Sequence, residues 1–228
     1  MNGPAFGTYP VYHLHGAHVV DARIQSAFVE KKQTGFRCFA VHGCHSFRHI
    51  AGGGEVFFQC MTVVGNFGVS ARTLLRKGDF PYWNEKKYRA ALEMQPDVVI
   101  IMLGTNDIKW SARCRAFDAR LGMMRLIEIA KTFGYLPAYR APEVLIVAPP
   151  PFVPTKDEFF NELWGHAIAE SKFFGHHYAI LAKEMGVHFF DAGKVAEADP
   201  IDGGHLDVAN TRAIGAGLVP VVKRILGI

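Results

Sequence analysis

The sequence predicts an α/β fold in which a parallel sheet is covered by helices on both faces. Short continuous apolar runs at 97–103, 143–148 and 187–190 are typical of strands that are buried on both sides. Longer stretches with helical periodicity separate these runs. Because strands that alternate with helices assemble into parallel sheets, the pattern favours layers of helix, sheet and helix.

The elements can be assigned in order along the chain. A short strand ending near Val64 precedes the three apolar runs, and helices are expected at 86–94, 117–133, 158–185 and 208–226. The third helix contains Gly165 and Gly175, so a break is expected near one of them. The fourth follows Asp207, a suitable N-cap, and contains Pro220, which is expected to kink it.

Composition and length indicate one domain that spans residues 1–228. The chain is 50% hydrophobic and 20% charged, which suits a globular core. Its net charge of +4 is mild and its basic residues are scattered, so a nucleic-acid partner is not expected. No apolar run is long enough to span a membrane and no signal-peptide pattern is visible, which favours a cytoplasmic location. The oligomeric state is left open, a homo-oligomer included.

The N-terminal region, residues 1–60, is atypical because it is rich in Gly and His and lacks clear periodicity. It contains six of the eleven histidines: His13, His15, His18, His42, His45 and His49. Such residues can bind metals, but no Cys or carboxylate pattern accompanies them to define a geometry. We therefore expect exposed histidines here, with no metal and no cofactor.

The residues after each strand are the candidates for chemistry, because ligands of such sheets bind beyond the carboxyl ends of the strands. Gly68 follows the first short strand, where a glycine lets a backbone N–H approach a ligand closely. Asn106 follows the 97–103 strand, where its amide can donate to an oxyanion. Taken singly, each residue fits a structural turn or a cap equally well or better.

Asp202 and His205 lie three positions apart in a Gly-rich loop before the last helix. This spacing can bring a carboxylate onto the imidazole Nδ1–H and leave Nε2 free to act as a base. A loop aspartate beside a histidine near the helix N-terminus is an equally ordinary interpretation of the pair alone.

Three segments in this order resemble a known family. Those at 66–70, 98–107 and 202–206 are Asn-Phe-Gly-Val-Ser, Val-Val-Ile-Ile-Met-Leu-Gly-Thr-Asn-Asp and Asp-Gly-Gly-His-Leu. Together they resemble the SGNH/GDSL hydrolases, whose blocks are a Gly-Asp-Ser serine, a glycine, a Gly-x-Asn-Asp and an Asp-x-x-His. The stretch 73–83 is similar to the bacterial carbohydrate-esterase branch, which includes acetylxylan and sialate O-acetyl esterases. The resemblance covers about residues 62–228.

The resemblance implies a three-layer, flavodoxin-like fold with a parallel central sheet. It also implies that His205 is the general base, that Asp202 orients it, and that Gly68 and Asn106 form most of an oxyanion hole. The expected reaction is hydrolysis of acetyl or short-chain esters through an acyl-serine, with no metal. The expected partner is a small-molecule ester, an acylated sugar being one candidate.

Tyr82 and Trp83 are candidate substrate-binding residues, because aromatic rings after the glycine block can stack on a sugar or an acyl group. The alternative is a packed loop cover without substrate contact.

The nucleophile block departs from the family pattern, because the sequence contains no Gly-Asp-Ser. Ser46, three residues after Gly43 and behind an apolar run, is the candidate nucleophile, and Ser70 is the other nearby hydroxyl. Either the block has diverged, with Ser46 serving or catalysis lost, or residues 1–60 are read out of frame. A protein without a nucleophile would act as a carbohydrate-binding or interaction module.

Overall fold

The computed structural model describes residues 37–42, 63–69, 71–75, 80–137 and 139–228. Five strands form a sheet whose pairs are all parallel: β1 (Arg37–His42), β2 (Val63–Asn66), β5 (Val98–Met102), β6 (Glu143–Ala148) and β7 (His188–Asp191). Their order is β2-β1-β5-β6-β7. Two short strands, β3 (Arg72–Thr73) and β4 (Phe80–Pro81), pair separately.

Six α-helices connect and cover the strands in the part of the chain that is described: α1 (Lys86–Glu93), α2 (Ala116–Thr132), α3 (Glu158–Trp164), α4 (Ile168–Ser171), α5 (Phe174–Met185) and α6 (Val208–Leu226). The predicted α/β fold with a parallel sheet and flanking helices is confirmed. Asp207 caps α6, since its side chain accepts from Asn210 N, and Pro220 lies inside that helix.

The predicted 158–185 helix is interrupted in two places. A 3₁₀ turn at Gly165–Ala167 gives the expected break at Gly165. The second interruption falls between Ser171 and Phe174, a few residues before Gly175, the other glycine near which a break was expected. Gly175 lies inside α5, where a Cβ would be 2.6 Å from a carboxylate oxygen of Asp191. Its lack of a side chain allows a close approach of helix and strand rather than ending the helix.

Alternate residues of β5 and β6 face two different hydrophobic clusters, as the period of a strand requires. One cluster combines one face of the two strands with α1, α2, α3 and α5; its strand members are Val99, Ile101, Val144, Ile146 and Ala148. The other combines the opposite face with Ile214 and Val222 of α6; its strand members are Val98, Ile100, Met102, Leu145 and Val147. Burial on both faces explains why these strands are apolar at every position except Glu143, the exposed first residue of β6.

The strand order reverses between β1 and β5, so the carboxyl ends of these strands meet at a topological switch point. In the register of the sheet, Ala40 of β1 pairs with Asn66 of β2, and His42 pairs with Met102 of β5. The three strand ends are therefore nearly level. In open α/β sheets this crevice is where ligands bind. Within the described residues, no helix is long and apolar enough to cross a membrane.

Candidate active site

Asp202 and His205 form a hydrogen-bonded pair. His205 Nδ1 lies 2.6 Å from Asp202 Oδ2. The other carboxylate oxygen, Oδ1, accepts the backbone N–H groups of Gly204 and His205 at 2.9 and 2.8 Å. The Asp202 side chain is only 13% exposed, whereas that of His205 is 44% exposed. The carboxylate is thus shielded, and the imidazole has access to a bound molecule.

The environment of Asp202 determines which nitrogen of His205 carries the proton. Partial burial alone would raise the pKa of Asp202, but hydrogen bonds from the His205 side chain and from two backbone N–H groups outweigh it and lower the pKa overall. Because the carboxylate is ionised at neutral pH, it can only accept, so His205 Nδ1 donates. His205 Nε2 then has a lone pair for taking up a proton.

The pair lies in a loop, residues 199–207, which we call the dyad loop. Two backbone bonds close it: Gly203 N donates to Asp199 O, and Asp199 N donates to His205 O, both at 2.7 Å. It is also bound to the chain after β6, because Val153 N donates to Gly203 O at 3.1 Å. Gly203 has a φ of +77°, which glycine adopts without strain.

Trp164, at the end of α3, contacts the dyad loop directly. Its Nε1–H donates to Asp202 O at 2.6 Å, and its ring lies edge-on to the His205 ring with centroids 5.5 Å apart. Sequence reasoning missed this residue. A tryptophan in an apolar helical stretch is most simply interpreted as core, and nothing in the spacing links position 164 to position 202.

The segment 66–75, which we call the oxyanion segment, carries the other half of the candidate site. Asn106 lies in the 3₁₀ turn after β5, and its Nδ2 donates to Arg72 O of this segment at 3.1 Å. An amide nitrogen has two hydrogens, and this bond uses one of them. Asn106 therefore lies against the oxyanion segment, as an oxyanion-hole donor must.

Gly68 is part of the same segment, and its N–H donates to Asn66 Oδ1 at 2.8 Å. An oxyanion bound at this amide would take the place of the Asn66 side chain. Tyr82 supports the neighbouring residue, because its hydroxyl donates to Phe67 O at 2.7 Å.

Tyr82 is fully buried, and burial also raises the pKa of its hydroxyl. A ring in this position supports the oxyanion segment from within the core. This placement fits the packed loop cover, the alternative to a substrate contact. Trp83 is partly buried against the same core cluster, so only part of its ring is accessible.

Asp107 anchors the oxyanion segment to the turn that bears Asn106. Its carboxylate is fully buried and accepts Leu74 N and Leu75 N, each at 2.9 Å. Burial raises the pKa of Asp107 to about 7, against the opposing effect of these backbone N–H donors. No local pattern in the sequence predicts this role, since the partners of Asp107 lie more than thirty positions earlier.

One backbone bond connects the two halves. Trp110, just after the Asn106 turn, donates its N–H to Leu163 O at 2.9 Å, and Leu163 directly precedes Trp164. The turn beside the oxyanion segment and the helix end beside the dyad loop are therefore joined.

Several predicted residues lie outside the described part of the chain. These are Ser46, Ser70 and the histidines at 13, 15, 18, 45 and 49, while His42 is described only as the last backbone position of β1.

Comparison with known proteins identifies a family and similar structures. Residues 57–211 match the model of the GDSL-like lipase/acylhydrolase family. A segment of 46 residues is 67% identical to an acetylxylan esterase of Xylanibacter ruminicola, a match that covers 20% of this chain and 10% of that protein. The chain thus matches about a tenth of the length of this curated relative.

Two solved structures are similar over most of the chain. A carbohydrate acetylesterase family member from Sinorhizobium meliloti is 34% identical, with a TM-score of 0.64 over 72% of this chain and 81% of that one. The aryl esterase of M. smegmatis is 27% identical, with a TM-score of 0.66 over 83% of this chain and 99% of that one.

Proposed function

This chain belongs to the GDSL-like lipase/acylhydrolase family, and we propose that it hydrolyses small acyl esters through a serine–histidine–aspartate mechanism. The observation that carries the proposal is the 2.6 Å hydrogen bond between His205 Nδ1 and Asp202 Oδ2, with an accessible imidazole. A histidine held in one tautomer by a shielded carboxylate is arranged to accept a proton at Nε2. Membership of this family and the similar esterase structures support ester hydrolysis as the reaction.

Acylation begins when His205 Nε2 takes the proton of the serine hydroxyl. The serine Oγ attacks the ester carbonyl carbon, and the carbonyl electron pair moves onto oxygen. Gly68 N–H and Asn106 Nδ2 donate to this oxyanion. When the carbonyl reforms, the bond to the alcohol breaks, and the imidazolium returns its proton to the departing oxygen.

Deacylation repeats the sequence with water. His205 Nε2 removes a proton from water as the water oxygen attacks the acyl-serine. Collapse of the second oxyanion releases the carboxylic acid, and the serine Oγ regains the proton from the imidazolium. The net reaction is one ester and one water to one acid and one alcohol, with no metal or cofactor in any step.

We assign Ser46 as the nucleophile because of the position of β1. This strand lies between β2 and β5, and its last residue, His42, pairs with Met102. The carboxyl end of β1 therefore lies between the strand that precedes Gly68 and the strand that precedes Asn106. Ser46 follows four residues after His42, a span of at most about 14 Å, which covers the neighbouring strands at roughly 4.8 Å spacing.

Acetyl esters, including those on carbohydrates, are the substrate class that the relatives favour. Two of them are named an acetylxylan esterase and a carbohydrate acetylesterase, and a third an aryl esterase. Two of the names specify an acetyl group, whereas the alcohol parts that the three names specify differ, so the acyl side is expected to be selected more strictly than the alcohol side.

The test is hydrolysis of p-nitrophenyl acetate by the purified chain and by single-alanine variants. We expect His205→Ala and Ser46→Ala to reduce kcat by at least about 10³-fold, since each removes a member of the triad. Ser70→Ala should retain activity. His176→Ala is the matched control, because this histidine is exposed on α5 and lies outside the proposed site.

A fluorophosphonate probe followed by peptide mass spectrometry identifies the reactive serine independently. Labelling of Ser46 that disappears in His205→Ala supports the assignment. Labelling of Ser70 instead would overturn Ser46 as the nucleophile and leave the hydrolase proposal intact.

The alternative function is a catalytically impaired relative that binds carbohydrate or a protein partner. The missing Gly-Asp-Ser favours it. Absence of both turnover and probe labelling, together with calorimetric binding of acetylated xylo-oligosaccharides, would support this alternative. A nucleotide sequence whose other frames encode a strand ending in Gly-Asp-Ser would instead identify residues 1–60 as out of frame.

A further inference from the structure

We propose that Trp164 is a positioning residue that holds the Asp202–His205 pair in its productive orientation, an inference that rests on the proposed hydrolase function. Trp164 contacts both members of the pair, although it lies 38 positions before Asp202 in the chain. It touches no reacting atom and acts through the dyad loop.

The first contact fixes a peptide plane. The indole Nε1–H donates to Asp202 O at 2.6 Å. This carbonyl belongs to the peptide that joins Asp202 to Gly203, and Gly203 has a φ of +77°. The next two backbone N–H groups, of Gly204 and His205, donate to Asp202 Oδ1. By anchoring this carbonyl, Trp164 fixes the orientation of the Asp202 carboxylate relative to these amides and to the imidazole.

The second contact restricts the imidazole itself. The rings of Trp164 and His205 lie 5.5 Å apart with an interplanar angle of 76°, an edge-to-face arrangement that aromatic pairs favour. Gly204 lies directly on the indole, since a Cβ at this position would be 2.5 Å from two ring carbons. Gly204 and His205, which follow the residue that accepts the hydrogen bond, thus both lie against the indole ring.

Trp164 can act as a fixed support because it is itself held in place. The residue is 6% exposed, and its ring stacks on Phe152 and Phe160, with ring planes within 22° and 18° and centroids 5.5 and 5.4 Å away. A rigid, buried support reduces the conformations that His205 can sample, and positioning errors of about 1 Å can cost roughly 10²-fold in rate.

Trp164→Phe tests the hydrogen bond while it retains an aromatic ring. We expect kcat for p-nitrophenyl acetate to fall about tenfold to a hundredfold, with KM changed by less than about threefold, because the base is misplaced and substrate contacts remain. Tyr88→Phe is the matched control. It also removes a buried ring-borne donor to a backbone carbonyl, Leu126 O at 2.7 Å, but this bond joins α1 to α2, which carry neither member of the pair.

Gly204→Ala provides a second way to displace His205 from its productive position. The new Cβ would push the dyad loop away from the indole without changing Trp164. This variant keeps the proposal testable if Trp164→Phe does not fold, and the same selective loss of kcat is expected.

The proton on His205 Nδ1 gives a readout that does not depend on turnover. A short hydrogen bond to a carboxylate should give a low-field ¹H NMR signal in ¹⁵N-labelled wild-type protein. We expect this signal to be broadened or lost in Trp164→Phe and Gly204→Ala and retained in Tyr88→Phe, whereas the melting temperatures of Trp164→Phe and Tyr88→Phe should fall by similar amounts.

The outcomes separate the two proposals. A low-field signal that depends on Trp164 in a wild-type protein without esterase activity would support the positioning role and overturn the hydrolase function. An active wild type whose kcat and low-field signal both survive Trp164→Phe would overturn the positioning role alone. Equal losses of kcat in Trp164→Phe and Tyr88→Phe would also overturn it, because general destabilisation would then explain the effect.

Discussion

The dyad loop and the oxyanion segment, the two halves of the candidate site, are stabilised in different ways. In the dyad loop, Asp202 bonds to residues two and three positions ahead of it, and the loop closes on itself through Asp199. The oxyanion segment is held by Asp107 and Asn106, which come from a turn more than thirty residues later. One half is organised mainly by local bonds, and the other by bonds between distant parts of the chain.

This difference predicts different responses to mutation. A change in the dyad loop should affect catalysis first, because its local bonds set the orientation of the base. A change in the anchors of the oxyanion segment should affect stability and catalysis together, because the same buried groups connect β3 to the turn after β5.

The largest effect is expected for Asp202→Asn. An amide in place of the carboxylate favours the wrong tautomer of His205, and we expect kcat to fall on the order of 10³–10⁴-fold while the fold is retained. Since the pKa of Asp202 is lowered in the folded state, its ionised form stabilises the protein above the unfolded pKa of about 3.9, and this contribution is lost as pH falls through the folded value.

Two measurements check this prediction. Steady-state kinetics give the loss in kcat, and urea unfolding at pH 7 and pH 3 gives the stability difference between wild type and Asp202→Asn. That difference should shrink at pH 3. An Asn variant with wild-type kcat would remove the main support for the triad mechanism.

The next effect is expected for Asp107→Asn. The amide nitrogen cannot accept a backbone N–H, so the bonds to Leu74 and Leu75 are weakened. We expect a loss of about 1–3 kcal/mol in the free energy of unfolding, and about a tenfold fall in kcat as the oxyanion segment shifts.

The pH dependence of this variant has the opposite sign to that of Asp202→Asn. Because burial raises the pKa of Asp107 to about 7, its neutral form stabilises the folded state, an effect fully present below about pH 3.9 and lost as pH rises through 7. The advantage of wild type over Asp107→Asn should therefore decrease between pH 5 and pH 8, by at most about 1.4 kcal/mol per unit. If the difference in free energy of unfolding between wild type and Asp107→Asn grew from pH 5 to pH 8, the raised pKa of Asp107 would be contradicted.

Alanine substitutions at two glycines distinguish the cost of backbone strain, which both share, from displacement of the dyad loop, which only one should cause. Gly203 and Gly186 both have positive φ, +77° and +58°. A Cβ at 203 would lie 2.6 Å from Val153 O, whereas a Cβ at 186 would have no atom within 4 Å among the described residues. We expect Gly186→Ala to cost about 1 kcal/mol of stability without changing kcat, and Gly203→Ala to cost more and reduce kcat. Thermal melts and kinetics on both variants provide the comparison; equal behaviour would mean that the dyad loop tolerates displacement.

The smallest effect is expected for Ala71→Gly in the oxyanion segment. Ala71 has a φ of +57°, a conformation that costs a non-glycine residue roughly 1–2 kcal/mol. Ala71→Gly removes this cost, but glycine has a greater chain entropy in the unfolded state, which offsets part of the stabilisation. We therefore expect a net stabilisation of about 0.5–1 kcal/mol. Ala71→Val should shift the unfolding midpoint in the opposite direction, and two shifts of the same sign would disprove the strain.

Much of the fold was predictable from patterns along the chain. The strand at Glu143–Ala148 and the helix at Val208–Leu226 have the expected bounds, because a continuous apolar run and a capped periodic helix are local signals. The close approach of Gly175 to Asp191 could not be predicted in this way, because it depends on how α5 packs against β7.

By itself, the sequence determined the α/β class, the parallel sheet and the positions of Gly68, Asn106, Asp202 and His205 after their strands and in the last loop. These follow from hydrophobic periodicity and from short spacings, which are properties of neighbouring residues. Only the tertiary structure decided that Trp164 supports the dyad loop, that Asp107 anchors the oxyanion segment, and that the ring of Tyr82 is buried beneath it. Those contacts join residues 15 to 38 positions apart, and chain folding brings such partners together without leaving a local pattern in the sequence.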